Sequence, residues 1–71
     1  MEGESVYKII TLVGTSPESW EKAAAIAVTQ ASKTLKDLRK AEVERLDMHI
    51  DNGKIIAYRA RMKISFKYHG E

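Results

Sequence analysis

From Ile56 to Tyr68 every even-numbered position is apolar or aromatic, in the order Ile56, Tyr58, Ala60, Met62, Ile64, Phe66 and Tyr68, while Arg59, Arg61, Lys63, Ser65 and Lys67 occupy the odd ones from 59 onward. Alternation held over thirteen residues is the period of a strand with one buried face, and a helix would scatter these side chains around its circumference. The chain must therefore supply cover for one long apolar face, and it must leave a row of bases on the other. This segment constrains the fold more than any other in the sequence.

The residues before it suggest the partner strand. Leu46, Met48 and Ile50 share one parity and Ala41 and Val43 the other, with Asp51-Asn52-Gly53 leading into the last strand. A two-residue Asn52-Gly53 turn would pair Met48 with Ala57 and Leu46 with Arg59, which mixes the faces. A three-residue Asp51-Asn52-Gly53 loop with Gly53 left-handed pairs Met48 with Ile56 and Leu46 with Tyr58, and this register is preferred. Glu44 then falls opposite Ala60 unless one extra residue resets the parity and brings Val43 to Met62, so a β-bulge is expected around Glu44.

Upstream, Val6–Val13 (VYKIITLV) is rich in β-branched residues and ends at Gly14, which marks a first strand. A helix follows. Ser16 as N-cap with Pro17 at the first helical position is the expected start, with Thr15 and Glu18 as a competing capping box. Trp20, Ala24, Ala27, Val28, Ala31, Leu35 and Leu38 then repeat at intervals of three and four, giving one apolar stripe made mostly of alanine. The segment Leu38–Val43 (LRKAEV) is expected to join this helix to the second strand. The order strand, helix, strand, strand gives an α+β, βαββ fold in which a three-stranded antiparallel sheet, order 1-3-2, carries the helix on one face.

With 71 residues, one proline and no shift in composition, the chain is expected to form a single domain over residues 1–71. A chain this short buries too little surface to be robust alone and commonly needs disulfides, a metal or self-association. There is no cysteine, so disulfides and thiolate zinc sites are excluded and self-association is the expected support. The overhanging apolar end at Phe66 and Tyr68 calls for cover from neighbouring copies. No stretch approaches the roughly 18 apolar residues of a membrane span, and no signal-type segment opens the chain, so a cytoplasmic location is expected.

The side chains that could carry chemistry are few. Without cysteine, without a serine placed in a histidine and acid constellation and without GxxxxGK, enzymatic activity is not expected. His49 and His69 lack zinc-site spacing. Glu42, Glu44, Asp47 and Asp51 include no calcium-loop pattern, and alternating faces prevent one chain from surrounding an ion, although chains around a symmetry axis could together do so. The net charge of +2 is small. The basic face of Arg59, Arg61, Lys63 and Lys67 lacks interleaved aromatics, which argues against nucleic acid. Trp20 reads as a packing or interface residue, with a relocated ligand-stacking role as the alternative.

The succession of VYKI, LVGTSPESWEKAA, a long helix and a hairpin ending in YRARMKISFK resembles the dodecins, from about Val6 to Lys67. The resemblance implies twelve copies, built from trimers, in a hollow shell that holds riboflavin or FMN without acting on it. In flavin-binding dodecins the LRKAEV position carries a tryptophan followed by an aromatic, and the tryptophan stacks on the flavin ring. Glu42 and Val43 match that pattern, whereas Lys40 and Ala41 replace the two aromatics. Arg59 stands where the family has a glutamine at the ring edge, Asp47 where it has an arginine that meets the FMN phosphate, and Lys67 where a base is common.

By resemblance, then, Lys40, Arg59 and Lys67 mark the ligand-binding positions of a flavin pocket that is lost or rebuilt. Some dodecin-like proteins that lack the aromatic are associated with calcium, and TSPESWE with Trp20 resembles that branch, with no metal ligands assigned. The expected function is non-enzymatic ligand storage in a homododecameric shell, with a calcium-binding or purely structural assembly as the alternative.

Overall fold

The computed structural model describes residues 4–68 and shows a strand β1 (Tyr7–Ser16), a helix α1 (Trp20–Thr34), and a hairpin of β2 (Leu38–Asp51) and β3 (Lys54–Lys67). The sheet is antiparallel with order β1-β3-β2, and its helix-covered face carries the even-numbered residues of β3. The expected βαββ architecture is thus present. Among the described residues, no helix is long and apolar enough to cross a membrane.

The helix starts three residues later than the proline suggested. β1 continues through Thr15 and Ser16, which are paired with Arg59 and Tyr58, so Ser16 is engaged in the sheet and is buried. Its hydroxyl accepts from the Glu18 amide at 3.0 Å and closes the turn around Pro17. Ser19 is the N-cap, its extended backbone presenting the hydroxyl to the Lys22 amide at 3.0 Å. The last turn closes with the Leu35 amide donating to the Ala31 carbonyl. Leu38 is therefore a strand residue, and LRKAEV lies wholly within β2 instead of bridging helix and strand.

The core is thin. Its fully buried apolar members are Ala23, Ala27, Ala31, Ala60, Met62 and Ile64, with Ile10, Leu12, Ala24, Val28, Leu35 and Leu38 packed partly against them. The stripe runs through Ala23, Ala27 and Ala31, with Ala24 and Val28 at its margin, so Ala23 holds the buried place expected of Ala24. Three alanines facing the sheet let the helix axis approach closely. Gly14 takes up the remaining space, because a Cβ there would overlap the Ala23 carbonyl oxygen and touch the Ala27 methyl.

At the helix N-terminus Trp20 spans the sheet edge. Its indole Nε1 donates to the Asp47 carbonyl oxygen at 3.0 Å, and its ring meets Tyr58 edge-on with centroids 5.1 Å apart. Trp20 is accordingly a packing residue within its own chain, on the helix side of the sheet. The hairpin continues past this point without helical cover, leaving Met48, Ile50, Ile55 and Ile56 exposed.

The hairpin register differs from the one preferred on sequence. Asp51 pairs with Lys54 across a two-residue turn in which Asn52 and Gly53 both have positive φ, 53° and 73°, as a type I′ turn requires. The faces stay sorted because Ile56 is an extra residue on β3, so that Met48 pairs with Tyr58 and Leu46 with Ala60. The expected bulge at Glu44 is present, and Val43 pairs with Met62. A further irregularity leaves Arg39 extra between Leu38 and Lys40.

Two substitutions test this packing. Gly14→Ala should destabilise the protein by about 2 kcal/mol or more, since the obstacle is helix backbone; the readout is the thermal unfolding midpoint at fixed protein concentration. Trp20→Phe should keep most of the ring contact and lose the bond to Asp47, costing about 1 kcal/mol in the same measurement.

Candidate functional site on the outer face of the sheet

The face of the sheet turned away from α1 is built from the odd-numbered residues of β1 and β3. Opposite Arg59 stand Thr15 and Asp47, opposite Arg61 stand Val13 and Arg45, opposite Lys63 stand Thr11 and Glu42, and opposite Ser65 stand Ile9 and Lys40. The two bulges on β2 determine part of this arrangement. Leu38 packs against the core, so strict alternation would turn Lys40 toward the helix; the extra Arg39 reverses the parity and turns Lys40 outward. The extra Glu44 does the same for Arg45 and Asp47, and brings its own carboxylate to the Lys63 Nζ at 3.4 Å.

The candidate ligand-binding residues do not form one cluster within the chain. Arg59 donates from Nε to the Asp47 carboxylate at 2.9 Å, so its nearest partner is the acid on the facing strand. Glu42 and Glu44 face Lys63. Lys40 lies opposite Ser65, six residues along β3 from Arg59, or roughly 20 Å at the rise of an extended strand. Lys67, paired with Tyr7, shares the Lys40 end of the sheet. Any pocket that gathers all three must take residues from more than one chain.

A shallow cavity of about 420 Å³ does open at the Lys40 end, lined by Tyr7, Ile9, Arg39, Lys40, Glu42, Lys63 and Ser65. Tyr7 and Ile9 are not candidate site residues on sequence, and Lys63 enters there only as part of the basic face. Their shared parity is visible there, but their adjacency to Lys40 depends on the β1–β3 register. The floor is apolar at Ile9 and Tyr7, and the rim is charged. Tyr7 is the one aromatic among these lining residues, so the cavity offers one ring instead of a pair of facing aromatic planes.

The acidic residues are dispersed. Asp47 and Glu44 are in ion pairs with Arg59 and Lys63, Glu42 faces Lys63, and Asp51 faces Lys54 at the hairpin end. Among the described residues no three histidine, cysteine, aspartate or glutamate side chains converge on a point that could hold a metal. A calcium ion, which takes six to eight oxygens, would need carboxylates from several chains. His49 is exposed at the hairpin end, and His69 lies outside the described residues.

Comparison with known proteins gives one family. Residues 6–69 match the dodecin family model. The chain is 49% identical over 63 residues to a calcium dodecin from Mycobacterium tuberculosis, with 89% of each chain covered. It is 36% identical over 62 residues to a dodecin from Thermus thermophilus, covering 87% of this chain and 90% of that one. The structure of a dodecin from Streptomyces coelicolor superposes with a TM-score of 0.90 at 31% identity, over 94% of this chain and 96% of that one. The crystal structure of the M. tuberculosis calcium dodecin, described as having a novel calcium-binding site, superposes with a TM-score of 0.83 at 48% identity over the same shares. This chain, with its β1-β3-β2 sheet and single packed helix, belongs to the dodecin family.

Proposed function

We propose that the protein is a non-enzymatic, cytoplasmic storage shell of twelve identical chains, built from trimers, that sequesters a small ligand on the outer face of its sheet. The observation that carries this reading is the thin core. Among the described residues the chain fully buries only small side chains and Met62 and Ile64, and it leaves large apolar residues exposed on the sheet (Ile9, Val13), on the helix (Ile26) and on the hairpin (Leu46, Met48, Ile50). Apolar surface on so many sides fits a subunit enclosed by copies of itself. An enzyme of this size would need a concave site with convergent acid, base or nucleophile groups, and the outer face has ion pairs in their place.

Flavin is the first ligand to consider. In this chain Lys40 takes the position that the resemblance gives to the stacking tryptophan and lines the cavity beside Arg39, so a flavin would be held by charge more than by ring stacking. Lys67 adds a third base at the same end, and Arg59 reaches the pocket only from another chain. FMN, with its phosphate, should therefore bind more tightly than riboflavin. The test is quenching of flavin fluorescence on titration with assembled protein: FMN should quench saturably, more weakly at higher salt, and Lys40→Ala should reduce its affinity about fivefold or more.

The second reading is calcium, favoured by the 49% identity with a calcium dodecin. Absence of quenching by either flavin, with native mass showing intact dodecamers, would move the assignment there. The expected sign is then a higher unfolding midpoint in millimolar Ca²⁺ that EGTA reverses.

A further inference from the structure

One row of the outer face sets two bases directly opposite each other, with no acid in the row. Arg45 and Arg61 are register partners on β2 and β3, and both are exposed. They share a face, because Asp47 and Arg59, two residues along on the same strands, are joined at 2.9 Å. Val13 completes the row from β1. The nearest acids are engaged elsewhere, Asp47 by Arg59 and Glu44 by Lys63. Among the described residues, neither the Arg45 nor the Arg61 side chain has an ion pair or hydrogen bond.

Directly opposed like charges destabilise a sheet, since their Cβ atoms stand only about 5 Å apart. Every neighbouring row on this hairpin avoids the problem: Asp47 faces Arg59, Glu42 faces Lys63, and Lys40 faces the uncharged Ser65. The Arg45–Arg61 row is the exception. Guanidinium groups are planar forks of donors without acceptor capacity, and they bind oxyanions bidentately. Two of them on one side of the sheet match a dianion better than a carboxylate, which would neutralise only one charge. A phosphate group, dianionic above its second pKa near 6, has the required charge and three oxygens to share.

We infer that Arg45 and Arg61 form an oxyanion clamp on the outer sheet face that takes a phosphate group, either as inorganic phosphate or as the monoester of a small molecule. The site uses neither Lys40 nor Lys67, and it stands whether the shell holds flavin, calcium or neither.

The assembled protein in phosphate-free buffer should bind inorganic phosphate saturably by calorimetry, less tightly as ionic strength rises. Arg45→Gln and Arg61→Gln should each weaken binding about tenfold, whereas Lys33→Gln, on the helix, should not. Glycerol 2-phosphate, titrated in parallel, separates the sources: tighter binding of the inorganic ion assigns free phosphate, and equal or tighter binding of the ester assigns a phosphorylated ligand. Thermal stability distinguishes an open clamp from one already filled by a neighbouring chain. Because an open clamp holds repelling charges, Arg61→Gln should raise the unfolding midpoint without phosphate and abolish the rise that phosphate gives the parent protein. Failure of phosphate to bind intact dodecamers overturns the proposal. So does a lower midpoint for Arg61→Gln combined with no phosphate effect on either protein, because a neighbouring chain's carboxylate would then already occupy the clamp.

Discussion

The close seating of an alanine-lined helix on the sheet sets both the size of the core and the need for neighbours around it. Ala23, Ala27 and Ala31 contribute almost no volume, and Gly14 lets the Ala23 turn rest against β1 without a side chain between them. Close approach makes a good seam but a small core, since the bulk comes only from Met62, Ile64 and their partly covered neighbours. A larger residue at any of the alanine positions would fill more volume and lift the helix off the strands. The chain thus combines a tight seam with an incomplete core, the combination for which small folds commonly draw support from neighbouring chains.

The same economy explains the long hairpin. Fourteen-residue strands outrun a fifteen-residue helix, because a strand advances about 3.3 Å per residue and a helix only 1.5 Å. The helix covers the sheet between Trp20 and Leu35 and leaves the hairpin end bare. Trp20 closes the covered region: its ring packs on Tyr58, and its indole NH holds the Asp47 carbonyl at the place where cover stops. This residue thus has a boundary role that depends on its position in the first turn, where a smaller side chain would not reach β2.

Much of this was legible in the sequence, and the failures have physical causes. The alternation in β3, the alanine stripe and the element order were sufficient for the βαββ topology, and the parity conflict at Glu44 correctly required a bulge. The Ser16 cap failed because β1 pairs through Ser16, a tertiary demand that overrides a local start signal and passes the cap to Ser19. The hairpin register failed because a second bulge, at Ile56, makes the two-residue turn compatible with sorted faces; with one bulge alone, only a longer loop keeps the faces apart. Lys40, Arg59 and Lys67 could be aligned to a family pattern, yet their separation along the sheet and the Asp47–Arg59 pair depend on cross-strand register, which the positions themselves do not encode.

The register also turns an unremarkable set of charges into an organised surface. Counted along the chain, acids and bases nearly cancel, and the net charge of +2 suggests no particular partner. Laid out by the observed pairing, the acids of β2 stand opposite bases of β3, which leaves the Lys40 end and the Arg45–Arg61 row with uncompensated positive charge. Surface ion pairs such as Asp47–Arg59, whose members remain about two-fifths exposed, add at most about 1 kcal/mol to stability. Their larger consequence is to assign each acid to a base, so that the remaining cations are confined to two places on the face. In an assembly that brings many copies of this face together, those places repeat at fixed positions, and a weak preference for anions in each chain becomes a high local density of sites.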